Sequence, residues 1–292
     1  MARAWPLRIT LFLATNLAVM LIFGAVVGLL GLDRVLGTSP IALLAMAGIF
    51  GFGGSLVSLA LSKRSALMST GAHIIERPET PYEEWVLEVV DDLSRAAGIG
   101  TPDVAVYDSP IPNAFATGMW RNNALVAIST GLVEAMEPEE VQAVLAHELS
   151  HVANGDMITL SLLQGVVNTF VIAAARIVGG VVDRTVFGNE RGYGMGYFIT
   201  SMIAQAVFGV LASIIVMWFS RRREFRADAG AAELVGAPSM ISALRALMVA
   251  SRVPTDLPRE MAAFGIQGGA LEGLFRTHPP LEDRIAALAA RR

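Results

Sequence analysis

The 292-residue chain contains no cysteine. Disulfides, thiolate metal sites and cysteine nucleophiles are therefore excluded. It is also short of charge: Asp, Glu, Lys and Arg make up 16% of residues, against about 25% in an ordinary soluble domain. The formal net charge is only −4, which argues against nucleic acid as a partner. No low-complexity tract stands out, and no internal repeat beyond the pairing of apolar runs. Histidine is scarce too, with four in the whole chain.

The missing charge is concentrated in a few places. Residues 9–32, 35–62, 157–175 and 192–220 hold no Asp, Glu, Lys or Arg. Outside them the charged share returns to about a quarter, the usual soluble value. A small all-soluble enzyme is thus excluded, and so is a pure transporter bundle. A helix crossing a bilayer needs about 20 apolar residues, so membrane spans are expected at 9–32, 39–61, 157–182 and 197–219. The first follows Arg3 and Arg8. It is longer than a signal-peptide core and lacks a small-x-small cleavage site, so it reads as an uncleaved anchor. In the second, Gly48, Gly51, Gly53 and Gly54 offer close helix packing. Gln164, Asn168 and Gln205 lie inside spans and are expected to hydrogen-bond between helices. Lys and Arg cluster at one set of span ends: Arg3, Arg8, Lys63, Arg64 and Arg221 to Arg223. That bias places both termini and both polar segments, 63–156 and 220–292, in the cytosol, where the two segments form one folded domain.

Within the polar segments, Pro81 to Ala97 reads as a helix with Trp85, Val89 and Leu93 on one face. Pro102 to Tyr107 reads as a strand. Asn113 to Met119 and Ala124 to Thr130 read as two more, around a turn at Trp120 to Asn123. Glu137-Pro138-Glu139-Glu140 opens a helix that runs to about Ala153. Asn154-Gly155-Asp156 then loosens the chain ahead of the third span. Glu224 to Val235, Pro238 to Ala250 and Leu281 to Ala290 are further helices. Residues 251–276 resist assignment.

The strongest chemical signal is His147-Glu148-Leu149-Ser150-His151. Residues four apart share a helix face, so both imidazoles can reach one Zn²⁺, with Glu148 beside them to take a proton from its water. Zinc then needs a third protein ligand and an open position. Met157 and Asn154 stand where a metzincin needs His and Gly, and cysteine is absent, so the third ligand is a carboxylate, His73 or His278. Glu224 is the best placed, at the start of a helix just after the fourth span. Asp228, four residues on, can accept the free ring N–H of a ligand histidine. Glu233 and Glu134 are weaker rivals.

Together, His147 to Asp156, Arg223 to Asp228, Thr277-His278-Pro279-Pro280 and Asn113 to Gly118 resemble the HtpX family of membrane-integral zinc metalloproteases. That family is of gluzincin type and is related to the CAAX prenyl proteases. The resemblance covers the whole chain. It implies a mainly α membrane protein with four transmembrane helices and a cytosolic α+β zincin-like protease domain carrying a small sheet. It also implies one Zn²⁺ on His147, His151 and Glu224, with Glu148 catalytic. The implied role is a stress-linked endopeptidase in the quality control of membrane proteins, in a bacterial cytoplasmic membrane. Its partners are then misfolded membrane proteins and the lipid bilayer. Two further expectations concern substrate. Asn113, Ala114, Phe115, Ala116 and Thr117 form an edge strand that pairs with an extended peptide. His278, or else Arg276, donates to the oxyanion. A CAAX-type prenyl protease and a scaffold with structural zinc are the rival readings. Four spans are too few for the first, and a structural site would need a fourth protein ligand.

Overall fold

The computed structural model describes residues 39–189, 194–250 and 278–291. The run at 9–32, Arg276 and the stretch 251–276 lie outside the described residues. The chain divides into two compact units, Met1–Ser58 with Thr159–Val216, and Leu59–Ile158 with Met217–Arg292.

Three of the described helices are long and apolar enough to cross a membrane. They are α1 (Pro40–Thr70), α5 (Asp156–Thr185) and α6 (Met195–Val235). In the first unit α1 and α5 meet closely at Gly51. A Cβ there would lie 2.5 Å from Thr169 Oγ1 and 2.9 Å from the Gly165 carbonyl. Among the described residues nothing lies within 4 Å of a Cβ built at Gly53 or Gly54. Ser161 Oγ donates to the Ser55 carbonyl at 2.9 Å, and Leu43, Leu44, Ala47 and Ala173 form a small core. The polar pair inside α5 is intrahelical, contrary to expectation: Gln164 Nε2 donates to Asn168 Oδ1 at 2.8 Å. An i,i+4 partner on the same helix is within reach of such a bond.

The second unit is built on a four-stranded mixed sheet. Its strands are β1 (His73–Ile74), β2 (Asp103–Tyr107), β3 (Ala114–Trp120) and β4 (Asn123–Ser129), in the order β1-β2-β4-β3. β2 and β4 are parallel, and among the described strands β3 pairs antiparallel with β4 alone, so it forms an edge there. One face of the sheet packs Val104, Val126 and Ile128 against helices α2 (Pro81–Ala97) and α4 (Pro138–Asn154). The other face packs Ala105, Leu125 and Ala127 against Ala66 and Leu67. The short α3 (Thr130–Ala135) follows β4, capped by Ser129 Oγ.

Local signals explain the two helices under the sheet. α2 opens with Pro81 and a reciprocal cap between Thr80 and Glu83, and stops at Gly98 in the left-handed conformation. α4 opens the same way, with Pro138 and the Glu137–Glu140 pair, and buries Val141, Leu145, Leu149 and Val152. Each such side chain contributes roughly 1.5–3 kcal/mol when fully buried, so α4 is firmly held. α7 (Ala237–Ala250) and α8 (Leu281–Ala289) complete the unit, sharing the core through Met240, Ala243, Leu244 and Leu288.

Two expected helix boundaries differ. No new helix begins near Arg223: α6 is continuous over 41 residues, and Glu224 lies within it. Three successive arginines end an apolar run but do not break a helix, because arginine is a good helix former. Nor does the chain loosen at Asn154 to Asp156. Gly155 alone takes φ 70°, and α5 begins at the next residue.

Candidate metal centre

α4 turns His147 and His151 to the same side, both 6% exposed. Their Nε2 atoms lie 3.1 Å apart. α6 brings Glu224, fully buried, against both: Oε2 is 3.4 Å from His147 Nε2, and Oε1 is 3.3 Å from His151 Nε2. Close approach of α6 is possible because Gly230 faces Ser150, where a Cβ would come within 2.8 Å of the hydroxyl.

The other ring nitrogens are fixed by carboxylates. His147 Nδ1 is 2.9 Å from Asp228 Oδ1, and His151 Nδ1 is 2.7 Å from Asp156 Oδ2. A carboxylate only accepts, so both Nδ1 atoms carry the hydrogen and both Nε2 atoms face inward. Asp228 is thus brought where expected. Asp156 is an addition: Gly155 is left-handed between the two helices, and the first residue of α5 lies against His151. Arg226 Nη2 donates to its other oxygen at 2.9 Å. Arg284, on α8, is a second addition, bonded to Asp228 through Nε at 2.8 Å and Nη2 at 2.5 Å.

Charge in the cluster is displaced from ordinary values. Burial works against a charged His151, but Asp156 and Glu224 outweigh it and push its pKa up to about 9. Burial likewise opposes an ionised Glu224, yet contact with the imidazoles of His147, His151 and His278 holds its carboxyl well below the usual carboxylate range. Asp228 is also lowered, because bonds from Arg284 and His147 overcome burial.

Three donor atoms, one each from His147, His151 and Glu224, lie within 4.8 Å of one another. Among the described residues, Glu224 Oε1 is buried with no hydrogen-bond partner. Two inward imidazole Nε2 atoms and a buried carboxylate oxygen converge on one point, and each imidazole offers a lone pair there once it is neutral. A divalent cation satisfies all three, and a His₂Glu set matches the donors of catalytic zinc sites that keep a position open. The residues therefore fit a metal.

Glu148 stands beside this group, half-buried, with its charge felt by His151 and Arg284. Its Oε2 accepts the Ala116 N–H at 2.9 Å. That bond comes from the unpaired side of β3. The Asn113 carbonyl faces β4, accepting from Ser129 N–H at 2.9 Å, so alternation turns the Ala114 and Ala116 backbone outward. His278 Nδ1 lies 2.7 Å from Glu224 Oε2, with its side chain 53% exposed. It therefore touches the cluster through Glu224. His73, Glu134 and Glu233 are exposed and not in the cluster.

Membrane-length helices, a small mixed sheet and a His–His–Glu group drawn from two helices are the features of a membrane-bound metalloprotease. Comparison with known proteins agrees. Residues 81–292 match peptidase family M48. The chain is 57% identical over 291 residues to Protease HtpX of Thioalkalivibrio sulfidiphilus, covering 97% of this chain and 98% of that one. It is 56% identical over 285 residues to Protease HtpX of Ectopseudomonas mendocina, with coverage of 97% and 98%. It is 57% identical over 288 residues to the Protease HtpX homolog of Nitrosomonas europaea, with coverage of 96% and 98%. The crystal structure of Ste24p from S. mikatae shares the fold, with a TM-score of 0.63 over 99% of this chain and 67% of that one, at 17% identity. The chain belongs to peptidase family M48, among its HtpX proteases.

Proposed function

We propose that this membrane metalloprotease is a zinc endopeptidase whose ligands are His147, His151 and Glu224 and whose general base is Glu148. The observation that carries the reading is the placement of Glu148, next to a ligand in sequence and tied by Oε2 to the edge strand. A zinc ion held by that set supplies Lewis-acid polarisation of the scissile carbonyl and a more acidic water. Glu148 then has Oε1 left to accept the proton of the attacking water, and it returns that proton to the leaving amine. An extended substrate adds to β3, bonding to the outward N–H and C=O of Ala114 and the C=O of Ala116. Asn113, Phe115 and Thr117 complete the strand that positions it. His278, when protonated, keeps Nε2–H for the oxyanion while Nδ1 holds Glu224.

The lysines and arginines at the span ends support a catalytic domain and termini on the cytosolic side. Similarity to HtpX proteases supports a bacterial cytoplasmic membrane and a stress-linked role, with misfolded membrane proteins as substrates. The test is hydrolysis of an unfolded membrane protein by the purified full-length chain in lipid vesicles. Glu148→Gln is expected to keep its zinc and lose about 10² to 10⁴-fold in turnover, the usual scale of general acid–base catalysis. Turnover within about twofold of the native chain would contradict the assignment.

A further inference from the structure

Burying a guanidinium is costly unless its donors are met. Arg284 is 6% exposed, and the reaction above gives it no task. It lies on the inward stripe of α8, one turn from buried Leu288. Its Nε and Nη2 each take one oxygen of Asp228, at 2.8 and 2.5 Å. A planar fork of this kind fixes the carboxylate plane, which a single ammonium cannot do. Asp228 Oδ1, so fixed, lies 2.9 Å from His147 Nδ1. The imidazole must then place its hydrogen on Nδ1 and turn Nε2 toward Glu224 and His151. The opposite histidine is held more loosely at the far end. Asp156 takes one bond from Arg226, whose side chain is 48% exposed.

We propose that Arg284 is a positioning residue of the metal site: through Asp228 it fixes the tautomer and orientation of His147 and so sets metal affinity. The proposal rests on His147, His151 and Glu224 being the ligands. It assigns a task to the last described helix that packing alone does not require.

The test uses the full-length chain in detergent, titrated with zinc against a chelator, and the absorption spectrum of the cobalt-substituted form. Arg284→Lys keeps the charge and loses the fork. It is expected to weaken zinc about 10- to 100-fold and to alter the cobalt spectrum. Arg284→Gln carries the same test should the lysine variant fail to fold. Adding Asp228→Asn to either is expected to weaken zinc no further than Asp228→Asn alone, because both act through one relay. Leu288→Ala, which loosens the same helix, should lower the melting temperature and leave zinc affinity within about threefold, since it leaves the fork intact. Native affinity and a native cobalt spectrum in Arg284→Lys would overturn the proposal. So would an equal loss in Leu288→Ala, which would assign the effect to packing. Full zinc retention by Glu224→Ala marks a different failure, that of the ligand assignment itself.

Discussion

The site is assembled from a local half and a remote half, and the two are held in different ways. His147, Glu148, His151 and Asp156 lie on α4 and the first residue of α5. Helix geometry and one left-handed glycine fix their mutual positions. Glu224 and Asp228 reach the same point from α6, His278 from the turn before α8 and Arg284 from α8, with sequence separations of up to 137 residues. The local half comes from one short stretch of sequence, whereas the remote half comes from elements far along the chain. Each half supplies a carboxylate to one histidine, so the two imidazoles are oriented from both sides.

Removing one carboxylate at a time probes that symmetry and should have the largest effect. Asp156→Ala and Asp228→Ala are each expected to retain zinc but to bind it about 10 to 100-fold more weakly by chelator competition. A native affinity in Asp156→Ala would show that the local half needs no support beyond its helix. Next in size is the bond between β3 and Glu148. Ala116→Pro removes the N–H from the unpaired side of an edge strand, where proline is tolerated. A hydrogen bond to a charged group is worth about 1.5–3 kcal/mol, so hydrolysis should fall about 10- to 100-fold with zinc content unchanged. Zinc loss in this variant would mean that the strand supports the ligands and not the base. The smallest effect compares two glycines. Gly98 and Gly155 both cap helices at positive φ, 66° and 70°. Alanine at either should cost about 1 kcal/mol in denaturant unfolding. Only Gly155→Ala should also weaken zinc, because only there does the cap place a carboxylate on a ligand.

The same division explains what the sequence disclosed. His147, Glu148 and His151 were legible because a helix converts spacing of four into a shared face. β3 was legible as a strand from its alternation, and its edge position follows from a sheet order that no spacing encodes. The sequence around Asp156 reads as a loosening turn. The usable signal was a glycine after the last helical turn, which sits between two helical runs. Arg284 was missed because Leu281 to Ala290 was read as a plain terminal helix. Yet it shares a stripe with Leu281, Ile285 and Leu288. A charged residue on the apolar face of a helix announces a buried partner. The three arginines before Glu224 suggested a helix end, where the structure carries one helix straight through.

The central claim is that the two halves meet on one metal ion, with Glu224 as the remote ligand. Metal analysis of the purified full-length chain after mild dialysis tests it most directly. About one zinc per native chain is expected and close to none in Glu224→Ala, since a three-ligand site that loses one ligand keeps only the helical pair. Stoichiometric zinc in Glu224→Ala, with loss instead in His278→Ala or Glu233→Ala, would contradict it.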